Sequence, residues 1–217
     1  MQDRTEVEVR MTIYALKSRF QGLLRPMVRR LAALGVTANQ VTIAACLLSV
    51  LVGLFLSTAD RAWFLILPIW MFVRMALNAV DGMLAREFGQ SSHLGAYLNE
   101  LTDVVSDAAL YLPFAFIPPF DWRSVGAVIF IASLTEMTGV VGVMAGASRR
   151  YDGPMGKSDR AFVFALLAIW VATTTALPEW TSWIMWTIAL AATSTIVNRI
   201  RSGLREAKNS KPAANKE

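Results

Sequence analysis

The chain has 217 residues, of which 55% are hydrophobic and only 17% are charged, and its formal net charge is +5. Soluble domains carry about a quarter charged residues, so this composition argues against a soluble protein and favours an integral membrane protein. The single cysteine, Cys46, excludes an internal disulfide, and we expect it to pack as a small apolar residue.

The N-terminal segment mixes apolar and basic residues at helical spacing. Its first ten residues, MQDRTEVEVR, lack the apolar core of a cleavable signal peptide. Residues 8–35 predict an amphipathic helix lying in the membrane interface, with a soluble partner-binding helix as the alternative. Its apolar stripe consists of Ile13, Leu16, Phe20, Leu23 and Leu24. We expect Gly35 to end this helix and TANQ, Thr37 to Gln40, to form a capping box that starts the next one.

Six further stretches are apolar over about the 20 residues that a transmembrane helix requires. We place them at about 38–57, 62–83, 98–118, 124–147, 160–177 and 181–200. The predicted fold class is therefore an all-α integral membrane protein, with six transmembrane helices preceded by the amphipathic interfacial helix. The predicted domains are an N-terminal juxtamembrane segment, 1–36, a six-helix transmembrane catalytic domain, 37–203, and a polar, frayed cytoplasmic tail, 204–217.

The basic residues predict the orientation in the membrane. Most of them precede the first span or follow spans two, four and six, whereas only Arg61 and Arg123 fall on the opposite side. By the positive-inside rule, both termini and the loops after even-numbered spans face the cytoplasm. The pI of about 9.7 then indicates contact with anionic lipid headgroups, and no nucleic-acid partner is expected.

Polar residues interrupt the apolar pattern between spans two and three, in the stretch NAVDGMLAREFGQSSHLGAYLNELTDVVSD, residues 78–107. Residues three or four apart share one face of a helix. Asn78, Asp81 and Ala85 share a face at the end of span two, and Gly95, Asn99, Asp103 and Asp107 follow at four-residue steps along span three. Charged groups within a membrane are costly, so this cluster requires partners and indicates a functional site.

The chemistry of the cluster favours a divalent metal. Carboxylates and carboxamides offer only oxygen ligands, which suit Mg²⁺ or Mn²⁺ better than zinc. Arg86, at the end of the first half, is placed to hold a phosphate. These residues predict metal-assisted chemistry on a phosphate-bearing substrate at the cytoplasmic face. The alternative is a structural or transport protein with an intramembrane ion-pair network, for instance Arg74 with Asp81.

This stretch resembles the signature of the CDP-alcohol phosphotransferases, Asp-x2-Asp-Gly-x2-Ala-Arg, eight or more residues, then Gly-x3-Asp-x3-Asp. Asp81, Gly82, Ala85 and Arg86 match the first half, and Gly95 and Asp103 match the second. The number of spans, the N-terminal helix and the TANQVT entry to span one are also similar to that family. The resemblance covers nearly the whole chain, but only the signature is specific.

Two positions depart from the family pattern, because Asn78 and Asn99 stand where the signature has Asp. The resemblance implies that all four positions hold a pair of divalent metals, so the two Asn residues keep an oxygen ligand but remove two negative charges. Asp107, one turn beyond Asp103, is the residue we expect to supply a missing charge. The predicted metal ligands are thus Asn78, Asp81, Asn99, Asp103 and Asp107.

The resemblance implies transfer of a phosphatidyl group from a CDP-linked lipid, most often CDP-diacylglycerol, to a polar alcohol, with release of CMP. Gly82 and Ala85 would leave room for the cytidine, Arg86 would neutralise phosphate charge, and Asp103 would be the catalytic base. The resemblance also favours a homodimer.

Two further expectations concern the surroundings of the site. Lys157 and Arg160, just before and at the start of span five, lie on its predicted side of the membrane, so we expect them to bind the acceptor or a phosphate on it. Ordinary positive-inside anchoring is the alternative. The expected location is the bacterial cytoplasmic membrane, with the site facing the cytoplasm.

Two other functions remain open at this point. The stretch NELTDVVSD is also similar to the Asp-rich motif of intramembrane prenyltransferases, although these need a second such motif and usually eight or nine spans. A degenerate family member that binds lipid or nucleotide without turnover is the other alternative, favoured by Asn78 and Asn99.

Overall fold

The computed structural model describes residues 19–210, apart from the side chain of Ser210, and this part of the chain is helical and contains no strand. The first helix, α1, is described over 19–33. The others are α2 (Ala38–Leu56), α3 (Ile66–Glu87), α4 (His93–Tyr111), α5 (Trp122–Met144), α6 (Lys157–Thr173) and α7 (Ser182–Ser210). Short 3₁₀ helices cover Arg61–Leu65, Leu112–Phe116 and Glu179–Thr181. The predicted all-α fold class is confirmed.

Helices α2 to α7 overlap the six predicted spans, but the described residues contain four segments that are long and apolar enough to cross a membrane. These are Ala38–Leu56, Arg61–Glu87, Trp122–Met144 and Glu179–Asn209. Helix α4 carries three acidic residues, Glu100, Asp103 and Asp107, and α6 has only 17 residues and begins with charged side chains. These two helices hold four charged residues of the predicted site, Asp103, Asp107, Lys157 and Arg160, which explains why they are less apolar.

The junction between α1 and α2 forms as the sequence predicts. Gly35 ends α1 in the left-handed conformation with φ of 77°, and the Val36 amide donates to the Leu31 carbonyl at 3.0 Å, as in a Schellman motif. The Thr37 amide then donates to Gln40 Oε1 at 2.9 Å, and the Gln40 amide donates to Thr37 Oγ1 at 3.2 Å. This reciprocal pair is the expected capping box.

Contacts divide the chain into two units, which we describe separately. The first unit comprises Met1–Ala45, of which 19–45 are described, and Phe72–Asn99. The second comprises Cys46–Met71 and Glu100–Glu217, of which the described part ends at residue 210. Helices α2, α3 and α4 contribute residues to both units. The predicted sequence boundaries after residues 36 and 203 stay predictions.

In the first unit, α1 packs against α2 and α3 through a small apolar core that includes Val28, Val41, Val80, Met83 and Leu84. Arg25 and Glu87 form an exposed ion pair at 2.8 Å.

Some residues of the predicted apolar stripe of α1 contact the protein, and others are exposed. Phe20 contacts Phe72 edge-on and Leu24 packs against the core, whereas Leu23 is 79% exposed. Ile13, Leu16 and the rest of the segment before residue 19 lie outside the described residues.

The second unit has a larger core, in which aromatic rings join several elements. The Tyr111 and Phe164 rings stack with centroids 3.9 Å apart, and Phe114 contacts Phe64 and Phe164 edge-on. Helix α5 packs along α7. Aromatic rings fill this core because they bury large areas and still meet in specific geometries.

Helix α7 continues through residues 204–210, where the sequence predicts a frayed tail, so that expectation is wrong for these residues. Glu206 accepts hydrogen bonds from the Ser148 amide at 2.9 Å and from the Ser148 hydroxyl at 3.0 Å, and it also pairs with Arg150. These contacts anchor the last turns of α7 to the loop after α5. Residues 211–217 lie outside the described part of the chain.

Helices α2 and α4 lie in close contact at Gly53. A Cβ atom placed on Gly53 would lie 2.1 Å from the carbonyl oxygen of Ala109. The neighbour is backbone, which cannot rotate away, so only glycine fits here. Small residues at such crossings let helix backbones meet in a membrane.

We therefore expect Gly53→Ala to lower the free energy of unfolding by about 1–3 kcal/mol, the usual cost of overpacking. Gly126→Ala is the matched control, since a Cβ atom there meets nothing within 4 Å. Both variants are compared with the original in thermal and denaturant unfolding in detergent. Equal stability of the two variants would contradict the close approach.

Candidate active site

The first half of the predicted site lies on α3, in the first unit. Asp81 is buried, with 6% of its surface exposed, and its Oδ2 accepts a hydrogen bond of 2.7 Å from Thr42 Oγ1 on α2. Thr42 lies two residues beyond the capping box, so the α1–α2 junction places the hydroxyl that holds this carboxylate. Asn78, one turn earlier on α3, is half-buried.

Arg86 folds back along α3 over the glycine of the signature. A Cβ atom on Gly82 would lie 3.0 Å from Arg86 Nη2 and 3.1 Å from Nη1. The missing side chain thus leaves room for the guanidinium group in this structure. Ala85 is half-buried, whereas Arg86 is exposed and can reach a ligand.

Gly95 allows the start of α4 to approach α2. A Cβ atom on Gly95 would lie 2.9 Å from Asn39 Oδ1 and 3.1 Å from Ser92 Oγ. The Gly95 amide donates to Ser92 Oγ at 2.9 Å, which caps α4. Asn99, one turn later, is half-buried.

The second unit brings Asp103 of α4 together with Lys157, the first residue of α6. Their Oδ2 and Nζ atoms lie 2.5 Å apart, and the side chains are 16% and 29% exposed. The sequence assigns these residues separate roles, as catalytic base and as acceptor-binding cation. In the structure each is the other's ion-pair partner.

Asp107, one turn further along α4, meets the other predicted acceptor-binding cation. Its Oδ2 lies 3.3 Å from Nη2 of Arg160. Arg160 is fully buried, and its Nη2 also donates to Glu136 of α5 at 3.0 Å. Arg199 of α7 completes the group, 3.8 Å from the same Glu136 oxygen. Burial of four charged groups together is consistent with their mutual pairing.

Sequence reasoning missed one acidic residue in this region, Glu136, and did not find the partner of another, Glu100. Glu136 is the single acid within the apolar α5 and, for that reason alone, could have been identified as an intramembrane functional residue. Glu100 pairs with Arg149, whose Nη2 donates to it at 2.7 Å. These partners lie 24 and 49 positions apart in sequence, so no local pattern reveals them.

The side chains proposed to hold a metal supply oxygen atoms only, which fits a hard divalent cation. Within residues 19–210 no three His, Cys, Asp or Glu side chains are grouped closely enough to bind a metal by themselves. Asn78 and Asn99 would therefore have to contribute amide oxygens. Because Mg²⁺ characteristically completes its shell with substrate phosphates and water, such a site fits a metal that arrives with its substrate.

Comparison with known proteins gives consistent matches. The family model described as CDP-alcohol phosphatidyltransferase matches residues 35–196. The inner membrane protein YnbA of Escherichia coli K12 is 48% identical over 198 residues, which cover 89% of this chain and 97% of that protein. A phosphatidylinositol phosphate synthase of Mycolicibacterium smegmatis is 25% identical over 186 residues, 83% of either chain.

Solved structures match in fold. A crystal structure of the Mycobacterium tuberculosis phosphatidylinositol phosphate synthase with CDP-DAG bound has a TM-score of 0.70 at 21% identity, covering 88% of this chain and 98% of that one. The same enzyme in complex with manganese and citrate has a TM-score of 0.69 at 23% identity, covering 87% and 92%. The four apolar helices, together with the relative YnbA, named an inner membrane protein, support an integral membrane protein.

The bond between Thr42 and Asp81 generates a test. Thr42→Val keeps the shape but removes the hydroxyl donor, and we expect it to lower the free energy of unfolding by about 1.5–3 kcal/mol, the usual worth of a hydrogen bond to a charged group. Thr42→Ser should stay near the original. Thr173→Val, at an exposed position, controls for the substitution itself. Unfolding in detergent measures all three, and a Thr42→Val variant as stable as Thr42→Ser would refute the role of this bond.

Proposed function

Since the chain belongs to the CDP-alcohol phosphatidyltransferase family, we propose that it transfers the phosphatidyl group of CDP-diacylglycerol to the hydroxyl of a polar alcohol and releases CMP. The mycobacterial relatives named phosphatidylinositol phosphate synthases support this reaction, as does the structural neighbour with CDP-DAG bound. The family match also argues against the prenyltransferase alternative.

The observation that carries the proposal is the set of signature positions on two successive helices. Asp81, Gly82, Ala85 and Arg86 lie on α3, and the Gly95 position begins the face of α4 that continues to Asp103. Both carboxylates already have a defined local partner, a hydroxyl for Asp81 and an ammonium group for Asp103. Functional side chains need such support to hold their orientation.

The nucleotide end of the lipid is assigned to α3. Gly82 and Ala85 present little bulk, so a flat cytidine can approach the helix backbone. The exposed Arg86 guanidinium lies over Gly82 and can turn to donate two hydrogen bonds to a phosphate. This would neutralise charge on the diphosphate and on the departing CMP.

Asp103 is assigned the role of general base. The acceptor oxygen attacks the phosphorus that carries the diacylglycerol, the bond from that phosphorus to the CMP oxygen breaks, and the hydroxyl proton passes to the Asp103 carboxylate. Lys157 is a positioning residue, because its ion pair orients the carboxylate before the alcohol arrives. In our proposal Lys157 therefore orients Asp103 and does not bind the acceptor directly.

Asn78, Asp81, Asn99, Asp103 and Asp107 would hold Mg²⁺ or Mn²⁺. When bound, the metal would act as a Lewis acid on the diphosphate and stabilise the leaving phosphate. Asp107 already contacts Arg160 through Oδ2, so a share in the metal site would fall to its other oxygen. Asn78 and Asn99 leave the ligand set with less negative charge than the family signature carries.

Nucleotide or lipid binding without turnover is the second candidate, favoured by the carboxamides at positions 78 and 99. It predicts CDP binding that does not depend on metal, and no new lipid.

The cellular setting is also part of the proposal. The excess of Lys and Arg on one side supports six spans with both termini and the site facing the cytoplasm. The YnbA relative, an inner membrane protein by name, supports the bacterial cytoplasmic membrane. Membrane lipids would surround the exposed apolar side chains, and a homodimer stays a proposal from family likeness.

The proposal is tested by incubating purified protein with labelled CDP-diacylglycerol, Mn²⁺ and a panel of alcohols, and measuring the new lipid and CMP. Asp81→Ala and Asp103→Ala should each lower the rate at least about 100-fold, within the range for loss of a general base or its equivalent. Asp60→Ala is the matched control, because Asp60 is exposed and its side chain makes no capping hydrogen bond. Near-normal turnover by either site variant would refute these roles.

A further inference from the structure

Glu136 lies in α5 and is one of the few buried acidic side chains of the second unit, with 8% of its surface exposed. Its Oε1 accepts a hydrogen bond of 3.0 Å from Arg160 Nη2 and lies 3.8 Å from Arg199 Nη1. One carboxylate oxygen thus stands between two guanidinium groups. Arginines that converge in this way are suited to bind an anionic ligand group such as a phosphate.

The terminal hydrogen-bond donors of Arg160 are all used within the protein. Nη1 donates to the Thr135 hydroxyl at 2.9 Å and to the Met155 carbonyl at 3.2 Å. Nη2 donates to Asp107 at 3.3 Å and to Glu136 at 3.0 Å. Each terminal nitrogen carries two hydrogens, so these four contacts leave no terminal N–H for a ligand.

Arg199 is held in the same place by backbone atoms. Its Nε donates to the Asp152 carbonyl at 3.3 Å, and its Nη1 donates to the Thr135 carbonyl. Its side chain is only 2% exposed. Thr135 therefore receives one arginine on its hydroxyl and the other on its carbonyl, directly beside Glu136.

The four buried charges balance. Arg160 and Arg199 bring two positive charges, and Asp107 and Glu136 bring two negative charges. The narrow cleft between α4 and α5 includes both carboxylates in its lining and no cationic side chain. A phosphate entering here would meet like charges and would have to displace a buried carboxylate from its arginines, which is costly in a desolvated site.

We propose that Glu136 determines acceptor specificity. As the internal counter-ion of Arg160 and Arg199 it takes the position of an anionic ligand group, so the acceptor is an alcohol without phosphate. The inference rests on the proposed function, in which the acceptor hydroxyl lies at Asp103. Asp107 is one turn from Asp103 on the same face of α4, a rise of about 6 Å, so the far end of the acceptor reaches this cluster. For Arg160, this excludes the phosphate-binding role that the sequence suggests.

The first test uses matched acceptors: glycerol against glycerol 3-phosphate, and inositol against inositol 1-phosphate. With CDP-diacylglycerol and Mn²⁺, the original protein should favour the unphosphorylated member of a pair by at least about tenfold in kcat/KM, and Glu136→Gln should reduce that ratio about tenfold. Preference of the original protein for the phosphorylated member would overturn this inference alone. Absence of new lipid and of CMP with every acceptor would overturn the proposed transfer reaction.

The second test does not depend on turnover. Thermal unfolding is measured in inorganic phosphate and in chloride at equal ionic strength, since a ligand of the folded state raises its stability. Phosphate should leave the original protein and Glu206→Gln unshifted and should stabilise Glu136→Gln, where the cluster has one excess positive charge. Glu206→Gln is the matched control because it also removes a carboxylate from an arginine, Arg150. The counter-ion role would be contradicted if phosphate stabilised the original protein, or if phosphate failed to stabilise a folded Glu136→Gln variant. If that variant does not fold, the result for the original protein alone decides.

Discussion

The second unit depends on the pairing of the buried Arg160 side chain with its neighbours. Its guanidinium group, fully buried at the start of α6, contacts Asp107 of α4 and both Thr135 and Glu136 of α5, and Glu136 continues the contact to Arg199 of α7. A buried arginine requires such complete pairing, because removal of one partner leaves an uncompensated charge. The same constraint brings the polar face of α4 next to Lys157 at the start of α6.

The local features of the fold could be predicted because they follow from neighbouring residues. Gly35, Thr37 and Gln40 end one helix and cap the next through bonds within a few positions, and the apolar runs identify α2, α3, α5 and α7 as candidate spans. The extension of α7 could not be predicted, since it depends on Glu206 meeting Ser148 and Arg150 across 58 and 56 positions.

In the candidate site, too, local patterns could be predicted from the sequence, whereas contacts between distant residues could not. The signature spacing identifies Asp81, Arg86 and Asp103 from sequence, but their partners come from other helices. Thr42 would be taken for an ordinary residue of an apolar span, and the sequence predicts acceptor binding for Lys157. The structure instead pairs Thr42 with Asp81 and Lys157 with Asp103. Glu136 was missed because the single acid of α5 matches no motif, although its cost within a membrane is itself informative.

Our central proposal is that the metal site has fewer carboxylates than the family signature and therefore binds its metal together with the nucleotide. The most direct measurement is the affinity of the purified protein for Mn²⁺, from electron paramagnetic resonance of free Mn²⁺, with and without CDP. We expect weak binding alone, tighter binding with CDP by a reciprocal coupling, and, in Asn78→Asp, tighter binding without CDP. Equal Mn²⁺ affinity with and without CDP, together with no gain in Asn78→Asp, would contradict the account.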